Sequence, residues 1–201
     1  MFLFSHNLED TVEIFQPLRL ERKQTVFLPV NDNTNKHIAG GGSHWALLVY
    51  SRLPSGEEGV SGNQFTYIDS AGGDMIGTVE KIASKMAMGI DAMRAGLTEE
   101  KEFARFEKEW KDAPAVMQYF AGPRQHNSYD CGMFVLATTE ALLEYLCTQK
   151  PGSSDPPLRI DMELEPKVLE NVNQAAVTKK RKQILELIHE LIEERKAGGA
   201  S

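Results

Sequence analysis

The stretch "RQHNSYDCGMFVL", Arg124 to Leu136, puts a lone cysteine between turn-forming residues and an apolar run. A thiol attacks carbonyl carbon only as thiolate, and a helix N-terminus or a neighbouring imidazolium favours that form. Cys131 meets the first condition on paper: Asn127, Ser128 and Asp130 precede it, and the apolar residues after it predict a buried helix. The same stretch also fits a small, inert core cysteine, as does Cys147 later in that helix. A thiolate needs a base, and among five histidines only His44 stands at the mouth of a predicted central strand, just after Gly40-Gly41-Gly42. Taken alone it could equally be a half-buried histidine bonded to a carbonyl. Asp69, at the end of another predicted strand, is the candidate to orient that imidazole, or else an Asx-turn residue ahead of Ser70 to Gly73. Gln125 could offer its side-chain amide, beside the backbone N–H of Cys131, to a developing oxyanion. One strand, strand, turn and helix plan would bring all four side chains to a single site for acyl transfer.

Rival motifs fail on residue type. His189-Glu190-Leu191-Ile192-Glu193 begins like a zinc-protease HExxH but ends in Glu, so the second imidazole is absent. Ser128 lacks a GxSxG elbow, and the glycines at 40 to 42 match no phosphate-binding fingerprint. Two cysteines with no CxxC make neither a disulfide framework nor a zinc site, so no metal and no cofactor is expected. Lys179-Lys180-Arg181-Lys182 at a helix start opposes the helix dipole and reads as a solvated face or a site for an acidic partner.

The elements that must position these residues follow from periodicity. Thr25 to Val30 reads as a buried strand followed by a polar turn, Asn31 to Asn35. His44 to Tyr50 is apolar with little alternation, which predicts a strand covered on both faces. Pro54 to Gly59 is a hairpin loop, and Gln64 to Asp69 alternates like a third strand. Ile76 to Met93 carries helical spacing, and Phe103, Phe106 and Trp110 give the charged stretch Leu97 to Asp112 one docking face. Ala115 to Phe120 is a short strand candidate, and Met133 to Leu146 a helix apolar on most sides. Thr178 is placed to N-cap a last helix with the stripe Ile184, Leu187, Ile188, Leu191, Ile192. The whole of 1–201 is read as one domain, with a charged helical insertion at 94–113 and a breaker-rich linker at 150–158 leading to helix 178–195.

Length and charge bound the function. The 201 residues, 41% of them hydrophobic, suffice for a sizeable core. A net charge of -7 argues against a broad nucleic-acid face, so protein partners are expected and nucleic acid is not. No basic leader or membrane-length apolar run is present, and the expected setting is a reducing cytoplasm or nucleus, with the protein a monomer.

With His44-Trp45, Asp69, Gln125 and Cys131-Gly132 in view, the chain resembles the Ulp/sentrin-specific cysteine protease family, and within it most the deneddylating branch. The resemblance rests on "VFLPVNDNTN", "GGSHWALLVY", "QHNSYDCGMFVLATTEAL" and "VTKKR". It implies a papain-like α+β fold of the Ulp type, a small mixed or antiparallel sheet packed on a helix that begins at the nucleophile. It implies His44 as general base, Asp69 as its orienter, Cys131 as nucleophile, Gln125 as oxyanion donor, and Trp45 with Gly132 lining a channel for the Gly-Gly tail of a ubiquitin-like modifier. The implied partner is a Nedd/Rub-type modifier with its conjugates, or alternatively a SUMO-type one. The family's upstream segment, with its Trp-Leu-Asn-Asp stretch, is expected to be missing, so a catalytically weak modifier-binding module is the alternative of another class. The loop Asn33 to Ser43 is expected to close over the tail.

Overall fold

The computed structural model describes residues 7–33, 42–53, 62–73, 75–110, 116–120, 122–148 and 170–198. The expectations for the hairpin loop 54–59, the linker 150–158 and most of the loop 33–43 lie outside these residues.

Four strands form one mixed sheet in the order β1 (Thr25–Asn31), β2 (Trp45–Arg52), β3 (Asn63–Ile68) and β4 (Val116–Phe120). The first three are antiparallel neighbours, and β4 lies parallel to β3. The continuous apolar run of β2 has its expected cause. Ala46, Leu48 and Tyr50 face one core and Leu47 and Val49 face the other, so alternate side chains of a central strand are buried on both sides.

The first core lies under α2 (Ile76–Arg94), which buries Val79, Ile82, Ala83, Met86 and Ile90 against the sheet. Behind it sits α1 (Leu8–Phe15), an element absent from the sequence reading although its signature is present. Asn7 caps it by accepting the Asp10 N–H at 2.8 Å, and Leu8, Thr11, Val12 and Phe15 form its buried stripe. The charged stretch is a shorter helix than its composition suggests, α3 (Glu100–Glu109), opened by a reciprocal capping box between Glu99 and Glu102. Phe103 is its buried residue and packs with Leu8, Val12 and Ala92.

The second core lies under α4 (Cys131–Thr148), whose Phe134, Val135, Ala137 and Leu142 cover Leu47, Val49 and Ile68. Val172, and Val177 of α5 (Gln174–Gly198), close this side. The helix α5 starts earlier than expected. Asn173, not Thr178, is its cap, since the Asn173 Oδ1 accepts the Ala176 N–H at 3.0 Å. Thr178 lies inside the first turns and its hydroxyl donates back to the Gln174 carbonyl. Gly198 falls within the helix rather than after it. The stripe of α5 stays open, with Leu187, Ile188, Leu191 and Ile192 each about half exposed.

Candidate active site

Strand register brings His44 and Asp69 together. Leu47 pairs with Ile68, so the residue following β3 arrives beside the start of β2, where His44 is the last residue before the strand. His44 Nε2 and Asp69 Oδ1 are 2.6 Å apart, with the carboxylate buried and the imidazole mostly so. The other Asp69 oxygen accepts the Tyr67 hydroxyl at 2.6 Å and the Gly73 N–H at 2.9 Å, while Oδ1 also accepts the Ala71 N–H at 2.8 Å. Burial alone would push the Asp69 carboxyl up. The Tyr67 hydroxyl, the Ala71 N–H and His44 outweigh it and hold the group below the ordinary aspartate value. Asp69 is therefore favoured as an anion, and the same side chain bonds the turn at Ala71 and Gly73 and the imidazole of His44.

The backbone of His44 is fixed by residues the sequence reading treated only as turn formers. Asp32 accepts the Ser43 N–H at 2.7 Å, the Ser43 hydroxyl at 2.8 Å and the His44 N–H at 3.0 Å. Asn31 Nδ2 donates to the His44 carbonyl at 2.9 Å. These two side chains close so tightly on the chain that a Cβ on Gly42 would stand 2.2 Å from Asn31 Oδ1, and the φ of +92° there suits glycine alone. Burial opposes ionisation of Asp32, yet the His44 and Ser43 donors leave its carboxyl below the usual value.

Cys131 is the first residue of α4 and is buried, while Cys147 near the other end of the helix is exposed. The helix begins two residues earlier than its apolar run because Asn127 organises the turn ahead of it. Asn127 Oδ1 accepts the N–H groups of Tyr129 and Asp130 at 3.1 and 2.9 Å, and the Phe134 N–H then donates to the Asp130 carbonyl at 2.9 Å. The partial positive charge of an 18-residue helix is thus presented at the thiol.

Gln125 is tied to both halves. Its N–H donates to the Ser70 carbonyl at 3.0 Å, its Oε1 accepts the Ser70 hydroxyl at 2.7 Å, and its Nε2 donates to the Asn127 carbonyl at 2.7 Å. The Asn127 carbonyl can only accept, which assigns the amide orientation, and an amide nitrogen carries two donors. The second has no partner among the described residues. Trp45, 43% exposed, stands over the residue after Cys131: a Cβ on Gly132 would lie 3.9 Å from its Cδ1. Trp45, Ser70, Phe134 and Val135 line one small cavity beneath it.

The structure thus brings His44, Asp69, Gln125, Trp45 and the start of α4 around one end of the sheet. Tyr67, Ser70, Asp32 and Asn127 were not foreseen as supports. Each could be found only by its partner, although "NDN" before the glycines and "HNSYD" before the cysteine mark where such turns lie. Among the described residues no group of acidic, histidine and cysteine side chains has the arrangement of a metal site, and no helix is long and apolar enough to cross a membrane.

Comparison with known sequences agrees with this geometry. Residues 5–194 match the family described as "Ulp1 protease family, C-terminal catalytic domain". Sentrin-specific protease 8 of Rattus norvegicus is 34% identical over 140 residues, covering 69% of this chain and 51% of the relative. The Homo sapiens protein of that name is 30% identical over 184 residues, covering 90% of this chain and 66% of the relative. NEDD8-specific protease 1 of Arabidopsis thaliana is 31% identical over 133 residues, 66% of this chain and 47% of the relative. The chain spans between about half and two thirds of the length of these curated relatives.

Proposed function

Because this chain belongs to the Ulp1 protease family, we propose that it is a thiol protease that hydrolyses the bond after the C-terminal Gly-Gly of a ubiquitin-like modifier, of the Nedd/Rub type. The observation that carries the reading is the 2.6 Å bond between His44 Nε2 and a buried, ionised Asp69, at the same end of the sheet as a cysteine that opens a helix. With Nε2–H donated to the carboxylate, Nδ1 holds the lone pair and is the basic nitrogen of the dyad. Nδ1 takes the proton of Cys131 Sγ, and the sulfur attacks the glycine carbonyl carbon. The oxyanion is received by the Cys131 N–H and the second Gln125 amide proton. Collapse expels the amine, which leaves with the proton from His44. Water, deprotonated by His44, then cleaves the thioester to a carboxylate and restores the thiol.

Trp45 over Gly132 favours a tail without side chains, since glycine alone lets the scissile carbonyl approach beneath an aromatic lid. The printed name of one relative supports the Nedd type: a NEDD8-specific protease 1 is 31% identical to this chain over 133 residues.

Modifiers carrying a C-terminal electrophile test the reading. A covalent adduct at Cys131 with the Nedd-type probe, none with the SUMO-type probe, and loss of cleavage in Cys131→Ala are the expected results. Capture of the SUMO-type probe instead would reassign the substrate. Binding without an adduct would make the chain a docking module.

A further inference from the structure

The carboxylate of Asp130, immediately before the nucleophile, does not cap its own helix. Its side chain is 5% exposed and turned towards α5. Oδ2 accepts Asn127 Nδ2 at 2.7 Å and Gln174 Nε2 at 2.8 Å, and Oδ1 accepts Arg181 Nη2. The guanidinium carbon also sits 5.8 Å from the centroid of the Tyr129 ring. Asn127, held on one side by Asp130, accepts Gln125 Nε2 on the other, so one chain of hydrogen bonds runs from Arg181 through Asp130 and Asn127 to Gln125. Arg181 lies 51 positions beyond Asp130, on a helix that contributes no group to the reacting atoms.

We propose that Arg181 is a positioning residue: by clamping Asp130 it fixes the turn that sets both the thiol of Cys131 and the amide of Gln125. This rests on the thiol-protease reading above. Two physical effects join here. A buried carboxylate with its cation removed keeps its charge but loses its compensation, and the turn then moves to reach water. That uncompensated negative charge also stands one residue from the thiolate and opposes its formation. The basic patch of the sequence thereby divides, since Lys180 instead pairs with the half-exposed Glu140 on the surface of α4.

The test compares Arg181→Ala, Arg181→Lys and Lys180→Ala, each measured for kcat and KM on a modifier with a fluorogenic C-terminal amide, and for thermal midpoint. Arg181→Ala lowers kcat by about tenfold to a hundredfold with KM changed less than about threefold, the scale set by small misplacements of reacting groups. Arg181→Lys restores part of kcat, having the charge but not the planar fork. Lys180→Ala leaves both constants unchanged. Unchanged kcat in Arg181→Ala, or an equal loss in Lys180→Ala, overturns the proposal. Alkylation of Cys131 by iodoacetamide, in a Cys147→Ser background, reads the nucleophile without any modifier. Slower alkylation in Arg181→Ala supports the clamp even if the modifier proves wrongly assigned, and an unchanged rate refutes it even if the assignment is right.

Discussion

Asp69 shows how much of one residue's work depends on neighbours of other types. Four groups address its two oxygens: the Tyr67 hydroxyl, the Ala71 and Gly73 N–H groups, and His44 Nε2. The sequence reading reached Asp69 and His44 because an acid and an imidazole at strand ends carry a recognisable chemistry. Tyr67 reads only as an alternating strand residue, since its bond to Asp69 depends on the chain turning back just after β3. Tyr67→Phe removes one charge-assisted bond, so it is expected to cost about 1.5–3 kcal/mol at neutral pH, where Asp69 is ionised. The carboxyl lies below its ordinary value of 3.8, so this stability is present above that value and lost as pH falls through the lowered one. Denaturant unfolding of both proteins at pH 7 and again near pH 2 should show the gap at the first and little at the second. A gap that persists at low pH would mean that Tyr67 acts by packing and not through the carboxylate. Asp69→Asn is expected to lower kcat by roughly 10²–10⁴-fold, because an amide can hold the imidazole in the wrong tautomer.

Elements were read well where burial made the periodicity strong, and poorly where capping decided the boundary. The strand β2 was legible because residues 46–50 are buried on both faces, and α2 because its apolar positions repeat at helical spacing. The start of α5 was misplaced because Thr178 and Asn173 are both good caps, and only the burial of Val177 between them tells which is used. Asn173→Ala should therefore cost about 1 kcal/mol in urea unfolding, whereas Thr178→Ala should cost a few tenths at most. The reverse order would restore the sequence reading. The helix α1 went unseen since eight residues near a terminus give few repeats, yet its seat is tight. A Cβ on Gly89 would lie 3.1 Å from both Phe15 and Thr11, so α1 rests directly on the backbone of α2. Gly89→Leu should destabilise the protein by about 1–3 kcal/mol through overpacking, against the gain in helix propensity. Chemical-shift changes should concentrate in α1.

At the scale of the molecule, three buried or half-buried aspartates tie together parts of the site that are far apart in sequence. Asp32 holds the segment leading into β2, Asp69 joins β2 to β3 through His44, and Asp130 joins the start of α4 to α5. This convergence was legible for His44, Asp69, Gln125 and Cys131 alone, because the supporting bonds are chosen by the fold and not by any spacing. For Asp130, burial raises the carboxyl, but Asn127, Arg181 and Gln174 together hold it below the ordinary value, as for the other two. Between the ordinary value of 3.8 and the lowered folded values, the unfolded chain binds protons that the folded chain does not. Stability must then rise with pH across that window and fall as acid is added. Asp130→Asn removes one of the three contributions while preserving the side chain's size. Its urea midpoint, followed from pH 5 to pH 2, should start lower than that of the unaltered chain and decline less steeply. Parallel curves would show that the carboxylate of Asp130 is not held in its charged form by Arg181, and that the tie between α4 and α5 rests on the packing of Val177 against the α4 core instead.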